Sequence, residues 1–136
     1  MPGHIPASML QQDSDSRPYW EGLAQGELRI QRCKACAQAV FYPRALCPHC
    51  HSDRLEWIVA SGKGTIYTYT VAHQAFGPFA EDVPFVIALV ELEEGVRMLS
   101  RIVDAPRERV TIGASVRVTF EGAGEDLTLP YFHLVE

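Results

Sequence analysis

Residues 33–50 read CKACAQAVFYPRALCPHC, and the tight pairs at its ends, Cys33-Lys34-Ala35-Cys36 and Cys47-Pro48-His49-Cys50, decide how the chain is to be read. They hold all four cysteines of the 136 residues. Two residues between cysteines let one turn point both sulfurs at a single ion, and two such turns complete a tetrahedron of thiolates. Cys33, Cys36, Cys47 and Cys50 are therefore the predicted ligands of one metal ion. Zinc is favoured because nothing else in the chain suggests redox work; iron stays open, because a rubredoxin-like site uses the same four thiolates. Four protein ligands leave no position for water or substrate, so the ion is expected to be structural. A module of about 30 residues buries too little core to fold without such help. His49 and His51, beside the second pair, read as solvated neighbours or donors to the sulfurs rather than ligands.

Working outward, residues 28–32 alternate apolar and polar as a strand does and run straight into Cys33. Residues 40–42 read as the return strand, broken by Pro43, and 55–59 as a third, closed by Ser61-Gly62. Upstream, Pro18 suits the first turn of a short helix stopped by Gly26, with Tyr19, Trp20 and Leu23 on one side. So short a helix must dock its aromatic face on the rest of the chain or on a partner. Downstream the pattern is all strand: 65–72, 85–92, 96–103, 115–120 and 131–135, with a hairpin at Glu93-Glu94-Gly95 and room for at most one helical turn at 105–109. The expected fold is mostly β: a tail over 1–16, a docking helix over 17–26, a rubredoxin-like zinc ribbon over 27–61, and a five-stranded OB-fold barrel over 62–136.

Hydrophobic residues at 47% and charged residues at 21% suit a packed chain. The longest apolar stretch, 83–90, is far below the roughly 20 residues that cross a bilayer, and residues 1–15 lack a basic head and greasy core. A cytoplasmic protein is expected, a reducing setting in which paired cysteines hold metal rather than disulfides. The net charge of -5 is uneven: by position the bases and acids give -3 over 1–27, +3 over 28–57 and -5 from 58 onward. A basic ribbon could attract an anion, with Arg29, Arg32, Lys34 and Arg44 as candidate contacts.

With the cysteines committed to metal, no thiol nucleophile is left, and no G-x-S-x-G elbow offers a serine. Ser61-Gly62-Lys63-Gly64-Thr65 lacks the leading glycine and closing hydroxyl of a phosphate loop. His73 and His133 lie singly in strand-like segments and read as packing or surface residues. The segment 73–84 is unusual for a loop because it sets Phe76 and Phe79 among Gly and Pro. These rings either fold back onto the barrel or offer an apolar contact to a partner or an acyl group.

Four blocks then look familiar in order: Pro18-Tyr19-Trp20-Glu21-Gly22-Leu23; the cysteine ribbon with Tyr42-Pro43-Arg44; residues 62–71, GKGTIYTYTV; and residues 84–92, PFVIALVEL. Together they resemble the zinc-ribbon plus OB-fold family of acyl-CoA-associated proteins, over about 17–135. The resemblance implies a small companion of thiolase-like or lipid-transfer-protein-like enzymes, or of hot-dog-fold hydratases. The partner would supply the catalytic groups, while this chain helps hold the CoA thioester. By that resemblance the cysteines are zinc ligands, Tyr19 and Trp20 belong to a docking element, and no catalytic residue carries over. The competing reading is a single-stranded nucleic-acid module, since ribbons and OB barrels both recur there. The acidic barrel weighs against it, because such a groove needs a basic track. A third reading, a small enzyme using His73 or His133, predicts turnover by the chain alone.

Overall fold

The computed structural model describes residues 15–124 and 127–135. The tail expected over 1–16 lies, up to residue 14, outside the described residues. Helix α1 spans Arg17–Ala24, with a proline in its first turn. Gly26 ends it in the left-handed region at φ 79°, where its N–H donates to the Leu23 carbonyl while the Glu27 N–H donates to that of Gly22. This doubly bonded stop satisfies the last helical carbonyls, and glycine adopts it without a Cβ penalty.

The chain then forms a three-stranded antiparallel sheet in the order β2-β1-β3, with β1 at Arg29–Cys33, β2 at Ala39–Val40 and β3 at Leu55–Val59. Five strands follow: β4 Lys63–Ala72, β5 Phe85–Leu92, β6 Arg97–Ile102, β7 Ser115–Gly124 and β8 Leu127–Leu134. They close as a barrel in the order β4-β5-β6-β8-β7, antiparallel except where Ile102 of β6 meets Phe132 of β8 in parallel. This is the five-stranded OB arrangement, with a single 3-10 turn, Arg107–Arg109, in the connection from β6 to β7. The alternation in β5 explains why closure works: Val86, Ala88, Val90 and Leu92 point inward and are buried, and the intervening residues are half-exposed.

Ribbon, helix and barrel share one core. Tyr19 and Leu23 of α1, Leu28 and Ile30 of the ribbon, and Ile66, Met98, Val116 and Phe132 of the barrel form one buried cluster. The joint between ribbon and barrel is pinned as well. Glu94 in the β5–β6 turn accepts the Ser61 N–H at 3.0 Å, and Val118 donates its N–H to Gly62 at 2.8 Å. No helix among the described residues is long and apolar enough to cross a membrane.

Strand limits differ from expectation mainly at β7 and β8. β8 begins at Leu127 rather than 131 and runs through Pro130, a residue with no N–H to give to a sheet ladder. The Pro130 carbonyl faces β6 and accepts the Ser100 hydroxyl at 2.6 Å. A residue's N and C=O share one side of a strand, so the missing N–H falls on the sparsely paired β6 side, while the β7 ladder passes intact through Phe120↔Pro130.

Candidate metal centre

The two cysteine turns are built alike. In the first, the Cys33 N–H donates to Gln38 at 2.9 Å and the Ala37 N–H to the Cys33 carbonyl at 2.8 Å. In the second, the Cys47 N–H donates to Ser52 and the His51 N–H to the Cys47 carbonyl, both at 2.8 Å. Ala37 and His51, the residues after each pair, both sit at φ 66°. His51 is thus a turn residue at a left-handed position, which histidine tolerates better than most. The His49 N–H donates to the Cys47 sulfur at 3.3 Å.

These turns bring the four sulfurs within 4.8 Å of one another. Cys33 and Cys50 lie 3.6 Å apart and Cys36 and Cys47 3.7 Å. A tetrahedron of Zn–S bonds of about 2.3 Å has S–S edges of about 3.8 Å, so the donor set fits such an ion in both chemistry and size. The sulfurs alone are electrostatically frustrated. The Cys36 N–H holds the Cys33 thiol down to about 7. At Cys50 the Ser52 N–H pulls the same way, but hydrogen bonding to neighbouring thiols, Cys33 first, and burial push it up to about 12. Four thiolates cannot share this space without a cation, and a divalent ion resolves the conflict.

One residue that pattern reading passed over supports the second turn. Gln31, 5% exposed, clamps the preceding segment: its Oε1 accepts the Arg44 N–H at 2.8 Å and its Nε2 donates to the Arg44 carbonyl at 3.0 Å. The apparent alternation of 28–32 puts Gln31 on a solvent face, yet both faces of β1 are covered.

The candidate anion contacts are not one cluster. Arg29 lies over Gly22, pairs with Glu27 at 2.8 Å and reaches the Pro18 carbonyl at 3.4 Å, so it ties α1 to the ribbon and is withdrawn from ligand binding. Lys34 and Arg44 are exposed, and Arg32 is half-buried opposite Glu56. The aromatic candidates divide too. Tyr19, 3% exposed, is closed in by edge-on contacts with Trp20, Phe41 and Tyr42, so of its two expected uses the structure gives it packing within the chain. Burial, then the nearby Tyr42, raises its hydroxyl pKa. Trp20 and Phe79 pack on Leu127, and Asp82 bonds Arg101 at 3.2 Å, pinning the β4–β5 loop to the barrel wall. Phe76, at the other end of that loop, is 89% exposed.

Comparison with known proteins agrees with this architecture. Residues 20–56 match the ChsH2 rubredoxin-like zinc ribbon domain and residues 57–121 the ChsH2 C-terminal OB-fold domain. A DUF35 domain-containing scaffold protein of Methanocaldococcus jannaschii is 45% identical over 96 residues, 70% of this chain and 68% of that one. A probable enoyl-CoA hydratase alpha subunit of Thermomonospora curvata is 39% identical over 118 residues, 87% of this chain; this chain spans only 37% of that relative's length. Among solved structures, a chain of an Ltp2-ChsH2(DUF35) aldolase superposes with a TM-score of 0.83 at 37% identity, covering 92% of this chain and 98% of that one.

Proposed function

Because the chain belongs to the ChsH2 family of zinc-ribbon and OB-fold proteins, also described as DUF35 scaffolds, we propose that it is a non-catalytic, zinc-holding subunit of a cytoplasmic acyl-CoA-processing complex. Its partner is a thiolase-like enzyme that supplies the reactive groups, and this chain helps hold the CoA thioester. The observation that carries this reading is the closed four-sulfur site: Cys33, Cys36, Cys47 and Cys50 account for every thiol in the chain and leave no open ligand position. A scaffold needs that rigidity; an enzyme of this size would need a reactive group elsewhere. The names of the relatives, a scaffold protein, a probable enoyl-CoA hydratase alpha subunit and an Ltp2-ChsH2(DUF35) aldolase, support the same role.

Within this role the chain's residues divide the work. When bound, zinc supplies fixed geometry and no chemistry. Gln31 and the two turns hold the ribbon's loops, and the exposed Lys34 and Arg44 meet an anionic ligand. Phe76 offers an apolar ring to the partner or to an acyl chain, on a loop whose base is anchored through Phe79 and Asp82. Co-purification from the native source, with the companion identified by mass, tests the proposal. A thiolase-like protein in equal amount is expected; a solitary chain that turns over CoA esters by itself would overturn it.

A further inference from the structure

Building on the companion-subunit reading, we infer that the outer wall of the barrel at β4, β7 and β8 holds a compact phosphate-bearing anion between Lys63 and Arg117. Strand register brings these residues together, although they are distant in sequence. Lys63 is the direct cross-strand partner of Arg117, and Arg117 that of His133, so three basic side chains form one row across three strands. Their neighbours Val116 and Phe132 are buried in the barrel, which fixes the row on the outer face. Like charges directly opposite each other destabilise a sheet, and among the described residues neither Lys63 nor Arg117 has a carboxylate in ion-pair range. An anion between them would turn that repulsion into attraction.

The surroundings suit such a ligand. Both bases line a cleft of about 540 Å³ together with Thr65 and Ser115, which are cross-strand partners two residues along on the same face and offer two hydroxyls. His133 directs Nδ1 to the Leu134 carbonyl at 3.2 Å, and among the described residues Nε2 has no hydrogen-bond partner. Two acids limit the site. Glu91, also in the cleft, pairs with Arg97 at 3.7 Å, and Glu93 flanks Lys63 on the β5 side. With acids on that side the cleft accepts a single phosphate or diphosphate and repels a polyanion laid across the barrel. In a chain that handles CoA esters, the fitting ligand is the phosphorylated nucleotide end of the thioester.

Titration of the full metal-loaded chain at low salt with adenosine 3′,5′-bisphosphate, inorganic pyrophosphate and a single-stranded oligonucleotide tests this, with amide chemical shifts reporting the location. The bisphosphate is expected to bind and to shift residues 63, 115, 117 and 133. Arg117→Gln should weaken it about fivefold, and Lys63→Met with Arg117→Gln more than that, as expected for exposed charge-assisted contacts. Without ligand, Arg117→Gln should melt no lower than the parent, because the like-charge pair is relieved; a merely structural arginine would not combine these two effects. Tighter binding of bisphosphate than of pyrophosphate identifies a nucleotide-borne phosphate, and equal binding a free one; both support the site. The inference is overturned if the parent binds neither, if the double variant binds as the parent does, if the shifts centre on Lys34 and Arg44, or if the oligonucleotide binds tightest. Those results leave the companion subunit standing, whereas phosphate binding by a chain with no enzyme partner would remove that reading and keep the site.

Discussion

Replacing Gln31 by leucine should loosen the metal centre without touching a ligand. Leucine fills a similar volume, but both hydrogen bonds to the Arg44 backbone, at 2.8 and 3.0 Å, are lost. Leaving buried backbone groups unpaired costs roughly 1–3 kcal/mol each. Arg44 itself is exposed, so water recovers part of this, and the added apolar burial offsets more. A net loss of about 2 kcal/mol follows from the low end of that range. The segment that comes free leads directly into Cys47. If the metal-holding conformation bears the whole loss, release to a chromophoric chelator should quicken by up to about 30-fold, since 1.4 kcal/mol is tenfold. Urea unfolding read alongside release gives both quantities. Gln31→Glu is the control of equal shape: it keeps the acceptor for the Arg44 N–H but turns an oxygen toward the Arg44 carbonyl, so it should be at least as damaging. A leucine variant within about 0.5 kcal/mol of the parent, releasing metal at the parent's rate, would refute the clamp.

Other outcomes follow from the same contacts. Gly62→Ala should destabilise by about 2–4 kcal/mol in urea titration, because φ is 83° there and an added Cβ would lie 2.5 Å from Cγ1 of Val118. Tyr19→Phe should flatten the alkaline loss of stability. Burial raises the hydroxyl pKa in the folded chain, so its contribution is whole below the unfolded value of 10.0 and falls above it by up to about 1.4 kcal/mol per pH unit. Unfolding curves between pH 9 and 11 for parent and variant, about a unit either side of the free phenol, check this; parallel slopes would contradict it. Phe76→Ala should leave stability within about 0.5 kcal/mol of the parent, as at other exposed sites, while reducing retention of the enzyme partner in pull-down.

The parts of this fold that could be read in advance are those encoded locally. The cysteine spacing specifies two turns, Gly26 specifies a helix stop, and the β-rich run 85–92 specifies a strand, although its nearly unbroken apolar sequence does not say which face is buried. What escaped depends on neighbours distant in sequence. Pro130 is acceptable within β8 because its carbonyl meets Ser100 of β6, and Gln31 is buried because the Arg44 segment folds across it. Arg29 looked like a free cation until Glu27 and the Pro18 carbonyl enclosed it. The row of Lys63, Arg117 and His133 exists only as strand register. Phe79 and Phe76 show the same limit in one loop: equal in composition, one packs on Leu127 and the other stands in solvent.

If one closed ion engages all four sulfurs, the chain keeps scaffold and contact surface but no reactive thiol. Elemental analysis of the native chain combined with thiol alkylation decides this. One zinc per chain and no alkylated cysteine until a denaturant or chelator is added is the expected result. A chain without stoichiometric metal, or a cysteine that reacts while the fold is intact, would contradict it.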